Sequence, residues 1–237
     1  MCLGAMDGKH IVLKKPGNSG STFYNYKHCF SIVLLAVVDA RYKFLFVDAG
    51  CQGRIGDAGV YQNSSLYKAM ETCSLNIPSP ESLPNTATAV PYVFVADEAF
   101  PLTDHIMKPY AHRGMDERER IFNYRLSRAR RIVENAFGIL ASRFRVFRTP
   151  MEIRPEKART VVLAATALHN FLIDRGASMS PLSGVDSNET SVPRGMRRCS
   201  QCFQGPVAGS NGKVIRNKFA NYFMTDGQVS WQWKAIY

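Results

Sequence analysis

The sequence lacks the features that mark a membrane-spanning or secreted protein. Its longest apolar run, FSIVLLAVVDA, is shorter than the roughly 18 residues that a membrane helix needs, and it is better interpreted as a strand. The opening residues, MCLGAMDGKH, contain no charged segment followed by an apolar core, so we predict no signal peptide. The chain has 237 residues, which is enough for one sizeable domain with a small appendage.

Cysteine is sparse and scattered, with six residues in the whole chain. A disulfide framework would be denser and would belong to a smaller chain, so we predict a reducing compartment. One CxxC motif occurs, at Cys199 and Cys202. A zinc site needs a second pair of ligands at suitable spacing, and no nearby Cys or His supplies it.

Several common catalytic motifs are also missing. No serine lies in GxSxG, and the five histidines form no HExxH. The stretch GSNGK is not a phosphate loop, because Val214 stands where that loop requires Ser or Thr. The glycines that recur at every third position do not form GxGxxG; they are Gly50, Gly53, Gly56 and Gly59. The sequence therefore argues against serine hydrolases, zincins and nucleotide-binding folds.

Positive charge, in contrast, is abundant and localised. The net charge is +11, and residues 108–159 contribute +8 of it through 14 Lys and Arg against 6 Asp and Glu. Nine arginines lie between Arg118 and Arg148, and arginine is suited to bidentate phosphate contacts. The pattern favours a polyanionic partner, nucleic acid or an acidic surface. A solvated helix face is the alternative.

The order of elements predicts an α/β fold. Strands are predicted in LGAMDGKHIVL, SIVLLAVVDA and YKFLFVDAG, with a hairpin between the last two, and in YVFVA. Helices are predicted at residues 60–73, 118–148 and 154–176, the last of them buried on most sides. Three regions are predicted: a core at 1–176, a flexible Ser/Gly/Pro-rich linker at 177–212, and a C-terminal helix and tail at 213–237 that dock on the core.

Three carboxylates occupy apolar surroundings. Asp7 lies inside the first predicted strand, Asp97 ends the strand YVFVA, and Glu134 is next to the apolar stripe of the long helix. A carboxylate near a core is costly unless it is paired, hydrogen-bonded or bound to a metal. If the three converge, they raise one another's pKa, and bound Mg²⁺ or Mn²⁺ would reverse that effect.

Each acid also has a simpler explanation. Asp7 is followed by Gly8 and could bond a turn, and Asp97 could cap the turn that follows it. Glu134 could pair with Arg130 or Arg131 one helical turn back. The residues alone are therefore only suggestive of a metal-dependent nucleic-acid enzyme.

The ordered motifs AMDGKHI, GRIGDAGVYQNSSL, ADEAFPL, RRIVENAFGILASRFRVF, ALHNF and IRNKFANYF resemble those of the PIF/Harbinger transposase superfamily, specifically a Harbinger transposase-derived nuclease with a DDE endonuclease domain. The resemblance implies an RNase H-like mixed sheet flanked by helices and a two-metal site that cuts DNA phosphodiester bonds. It implies that Asp7, Asp97 and Glu134 are the catalytic acids and metal ligands. Asp57, in GRIGD, is a secondary candidate ligand that could instead orient a loop or bind substrate.

The resemblance also implies DNA as substrate, a separate DNA-binding partner protein and, from the substrate, a nuclear location. The expected backbone contacts are basic residues on the long helix and near the first strand: Arg125, Arg128, Arg131, Lys9, Lys14 and Lys15. The helical region that usually precedes this domain is missing, so a fragment, a truncated product or a decayed copy are all open. The alternative function is a catalytically inactive, transposase-derived module that binds DNA or protein.

Overall fold

The protein has a mixed α/β structure, seen in a computed structural model that describes residues 1–176, 195–198 and 210–235. The strands are β1 (Cys2–Leu13), β2 (Phe30–Val38), β3 (Phe44–Gln52), β4 (Glu81–Ser82), β5 (Ala89–Val90), β6 (Val93–Val95), β7 (Ile106–Met107) and β8 (Met196–Arg198). The main sheet has the order β3-β2-β1-β6-β7, and β8 also pairs with β1. β4 and β5 form a separate two-stranded sheet.

The sheet is mixed because β1 has neighbours of both directions. It runs antiparallel to β2 and to β8 but parallel to β6. In β2 every residue after Phe30 is buried, as expected of a strand whose two faces are both covered. The predicted hairpin between β2 and β3 is confirmed, and the carboxylate of Asp39 accepts hydrogen bonds from two backbone N–H groups of its turn.

Helices cover both faces of this sheet. They are α1 (Asp57–Asn63), α2 (Ser65–Glu71), α3 (Glu117–Arg143), α4 (Pro155–Asp174) and α5 (Ser210–Met224). Ala5 and Ile11 of β1 lie in the core formed with α3, α4 and α5, whereas Met6 lies in a second core with α1 and α2. The predicted α/β class with a mixed sheet is therefore confirmed. Within the described residues, no helix is both long enough and apolar enough to cross a membrane.

Two predicted helices have different bounds in the structure. The helix predicted at 60–73 is two short helices, because the hydroxyl of Ser64 accepts a hydrogen bond from the backbone N–H of Tyr67 and caps α2. The helix predicted at 118–148 ends at Arg143, and a short 3₁₀ turn follows that buries Phe147.

The prediction that α4 is buried on most sides is wrong. One side is buried, but Leu163, Leu168 and Phe171 on another side are 37%, 52% and 53% exposed. The middle of this helix is apolar all round, so its sequence does not indicate which face packs on the sheet.

Most of the predicted linker lies outside the described residues, as does the CxxC at 199–202. The described parts of that region are ordered elements: Met196–Arg198 pair with β1, and α5 begins at Ser210. The strand forms there because β1 offers an unpaired edge beyond the end of β6. Residues after α5 pack on α3, where the Trp231 ring meets Tyr124 edge-on. The division into three regions stays a prediction.

Candidate metal centre

The first acid, Asp7, lies on β1 between the residues that pair with β6 and the residues that pair with β8. The pairing with β6 extends to Ala5, and the pairing with β8 begins at Lys9. Among the described residues, no strand pairs with this edge of β1 between those two positions, which leaves a gap in the sheet. Asp7 lies at this gap and is 4% exposed.

The second acid reaches the same gap because β6 runs parallel to β1. The paired residues Ala5 and Val95 are in register, so the chain leaves β6 close to Asp7. Asp97 follows two residues later, and its Oδ1 accepts a hydrogen bond from the backbone N–H of Ala99 at 2.9 Å. The apolar strand β6 is followed by Asp97, and the end of β6 lies beside Asp7.

The third acid at this gap is Asp57, the first residue of α1 on the other face of the sheet. It is 1% exposed. Its carboxylate lies over Gly8, where a Cβ would overlap it. Glycine next to Asp7 is thus what lets Asp57 approach β1 so closely.

These three acids are close enough to share a cation. Asp7, Asp57 and Asp97 each offer a carboxylate oxygen, and the three oxygens lie within 4.8 Å of one another. Carboxylate oxygens are the ligands that Mg²⁺ and Mn²⁺ prefer. The donor set therefore fits a hard divalent cation.

Glu134 is the remaining predicted acid. Its carboxylate lies near the guanidinium of Arg130, which also lies near Asp7 and Asp97. Arg130 Nη2 lies 3.9 Å from Asp7 Oδ1, 3.9 Å from Asp97 Oδ2 and 3.9 Å from Glu134 Oε1. Arg130 and Glu134 are four residues apart on α3, so their side chains project from the same face of the helix. The structure thus groups Asp7, Asp57 and Asp97, whereas Glu134 lies outside that group of oxygens and contacts Arg130, which was expected only as one possible ion-pair partner of Glu134.

The electrostatics of the site favour the protonated form of one carboxyl. Burial, followed by the neighbouring charge of Asp97, raises the pKa of Asp7 from 3.8 to about 7, and the charge of Arg130 opposes this only in part. A bound cation would favour the ionised form, so cation binding at this site releases a proton near neutral pH.

The basic residues predicted to bind DNA have varied surroundings. Arg125 is half-buried, donates a hydrogen bond to the carbonyl of Gly227, and stacks 4.0 Å above the ring of Phe223. These contacts attach the C-terminal tail to α3, so Arg125 has a structural role. Arg128 lies 4.3 Å from the centre of the Trp231 ring and is exposed.

Arg131 is exposed three residues after Arg128, on the same side of α3. The three lysines lie near β1: Lys9 over the Phe137 ring at 5.7 Å, Lys14 beside Glu152 at 3.3 Å, and Lys15 over the Phe30 ring at 6.0 Å. The DNA contacts stay predictions for all six residues.

Comparisons with known proteins show the family of this chain. The family described as DDE superfamily endonuclease matches residues 6–170. An Arabidopsis thaliana protein named "Protein ALP1-like" is 33% identical over 179 residues, which are 73% of this chain and 43% of that protein. Proteins named "Putative nuclease HARBI1" from Rattus norvegicus and Homo sapiens are each 27% identical over 187 residues, which are 77% of this chain and 49% of theirs.

This chain therefore spans about half the length of the curated relatives it matches. No solved structure shows significant similarity to it. The family match covers most of the chain and includes Asp7, Asp57, Asp97 and Glu134. The predicted resemblance to Harbinger transposase-derived nucleases is confirmed, and the chain belongs to the DDE superfamily endonuclease family.

Proposed function

We propose that this protein is a metal-dependent DNA endonuclease with an RNase H-like fold, acting in the nucleus. The observation that carries the proposal is the convergence of Asp7, Asp57 and Asp97 from three separate elements within 4.8 Å. Burying three carboxylates side by side is costly unless a positive charge compensates them, and a bound divalent cation would supply that charge. The family and the names of the relatives support nuclease chemistry.

Under this proposal Asp7, Asp57 and Asp97 hold Mg²⁺ or Mn²⁺, and Glu134 completes the site from α3. When bound, a divalent cation activates a water and stabilises charge on the leaving oxygen of a phosphodiester. Asp97 is held in position for this by the hydrogen bond from the backbone N–H of Ala99.

The DNA backbone would lie along the exposed side of α3. Arg128 and Arg131 share that side, about three and about two turns before Gly138, whose open surroundings leave room for close approach. Such contacts give affinity without sequence choice. We therefore propose that target choice depends on a separate DNA-binding partner protein.

A second candidate is a module that binds DNA or protein without cutting. The ion pairs of Arg130 with Asp7, Asp97 and Glu134 favour it, because they supply the acids with an internal positive charge. The two candidates agree on DNA binding and differ on metal-dependent cleavage.

The test is nicking of supercoiled plasmid DNA in Mg²⁺ and in Mn²⁺. Substitutions Asp7→Asn, Asp57→Asn, Asp97→Asn and Glu134→Gln should each lower the rate more than about 100-fold, since changes even to outer-shell groups typically cost up to that factor. Glu98→Gln is the matched control, because Glu98 is an exposed carboxylate next to Asp97. Binding that persists without any metal-dependent nicking would leave the second candidate.

A further inference from the structure

Arg130 lies beside the candidate metal centre and contacts two of its three acids, Asp7 and Asp97. Its Nη2 is 3.9 Å from oxygens of Asp7, Asp97 and Glu134, which come from β1, from the end of β6 and from α3. Its side chain is 17% exposed. One nitrogen atom is therefore equidistant from three acids that come from three separate elements.

These contacts are unlike those of an arginine in a structural ion pair. Arginine normally binds a carboxylate through two parallel hydrogen bonds with N–O distances of about 2.7–2.9 Å. All three contacts here are longer than a hydrogen bond, and the buried Nε of Arg130 has no hydrogen-bond partner among the described residues. The guanidinium thus acts on these carboxylates as a positive charge rather than as a hydrogen-bond donor to them.

We propose that Arg130 is an internal counter-cation, which holds the carboxylates together without metal and must withdraw when a divalent cation binds. This inference rests on the proposed metal site. It makes Arg130 a positioning residue that competes with the cation. The carboxylates repel one another unless a positive charge lies between them. A divalent cation in contact with Asp7 and Asp97 would repel a guanidinium beside the same oxygens, so the two charges exclude each other.

Under this proposal Arg130 turns its guanidinium away from the acids when the cation binds. It is a long side chain on α3 with part of its surface exposed, next to Arg131, which is exposed. Only the side chain of Arg130 has to move. The displaced guanidinium would then add to the basic side of α3 in the metal-bound state alone.

The test compares Mn²⁺ affinity of the full chain and two single variants by isothermal titration calorimetry. Arg130→Gln removes the competing charge, and Arg131→Gln removes the same charge one residue away. We expect Arg130→Gln to bind Mn²⁺ at least tenfold more tightly than Arg131→Gln does. Arg130→Lys, which keeps a mobile cation, should bind nearly as the parent chain does.

Thermal unfolding supplies a readout that does not depend on an affinity. In EDTA, Arg130→Gln should melt below Arg131→Gln because its carboxylates repel, and Mn²⁺ should raise its melting temperature by the largest amount of all variants. If Arg130→Gln does not fold in EDTA, Mn²⁺ should restore its folding. Failure of Mn²⁺ to do so would overturn the inference.

The possible failures are distinguishable. If the parent chain binds Mn²⁺ and nicks DNA but Arg130→Gln binds no tighter than Arg131→Gln, only the role of Arg130 is refuted. If the parent chain and all variants bind no Mn²⁺, the proposed metal site and this inference fail together.

Discussion

The raised pKa of Asp7 predicts that removing its charge stabilises the protein when no metal is present. The pKa is about 7 in the folded protein against an ordinary value of 3.8. Between these values the folded chain keeps a proton that the unfolded chain has lost, so the free energy of unfolding falls as pH rises. Each pKa unit corresponds to about 1.4 kcal/mol, and the full penalty above pH 7 is about 4 kcal/mol.

Asp7→Asn mimics the protonated carboxyl at every pH and so removes this penalty. Relative to the parent chain, we expect a gain in the free energy of unfolding of about 2 kcal/mol at pH 5 and about 4 kcal/mol at pH 8. The assay is urea unfolding in EDTA at both values. Any cost of the new amide group is the same at both pH values, so the difference of roughly 2–3 kcal/mol between them isolates the carboxyl.

The control is Asp48→Asn, which changes a partly exposed acid on β3. Equal effects of Asp7→Asn at pH 5 and pH 8 would refute the reasoning, because they would mean that Asp7 is ionised in the folded chain at both. Adding Mn²⁺ at pH 8 should reverse the order of stability, since the cation binds the ionised carboxylate that Asp7→Asn lacks.

Three further predictions concern side chains around the site. Gly8→Ala should abolish metal-dependent nicking and lower the free energy of unfolding by about 1–3 kcal/mol, because its methyl group overlaps the Asp57 carboxylate; Gly17→Ala, at a position with open surroundings, is the control. Gly138→Ala should raise the free energy of unfolding by up to about 1 kcal/mol in thermal unfolding, since Gly138 lies in a helix and a Cβ there meets nothing. Arg125→Gln should lower it by about 1–3 kcal/mol and expose the C-terminal tail to protease, because the hydrogen bond to that tail is lost; an unchanged digestion pattern would contradict this role.

The sequence predicted the acids of the candidate site but did not predict how they meet. Asp7 and Asp97 could be recognised because each interrupts or ends an apolar strand. Their contact depends on the register between β1 and β6, which pairs Ala5 with Val95 across a long stretch of chain. No local pattern encodes such a long-range pairing, so their proximity could be expected only from the family resemblance.

Asp57 is only a secondary candidate by sequence, yet its carboxylate lies with those of Asp7 and Asp97 in the structure. A signal for it existed in the sequence. Gly8 weakens a strand that is otherwise well suited to the centre of a sheet, and an isolated glycine there often marks a close approach by another group. What the sequence could not supply was the identity of that group, since α1 and β1 meet only in the tertiary structure.

The choice among the arginines of α3 shows the same limit. The spacing of Arg125, Arg128 and Arg131 along the helix predicts that they contact DNA together. Which arginine reaches the acids depends instead on the spacing between Arg130 and Glu134. Residues four apart on a helix share a face, and Glu134 marks the face that meets the sheet. Arg130 therefore lies at the acids and Arg131 outside, although both are adjacent in sequence.

The chain has a net charge of +11, but the carboxylates of its candidate site are negative. A polyanion such as DNA would therefore be attracted by the basic residues and repelled by the site itself. Under the proposed function, the basic residues would attract DNA over a distance comparable to the Debye length. The carboxylates of Asp7, Asp57 and Asp97 repel the same phosphates at short range, and the one positive charge of Arg130 offsets only part of that repulsion. Cations that neutralise the acids must therefore also favour the approach of a phosphate to them, and by thermodynamic linkage bound DNA must raise the affinity for the cations by the same factor. Metal and DNA are thus expected to bind cooperatively at the gap beside β1, with Arg130 withdrawing when the cation binds.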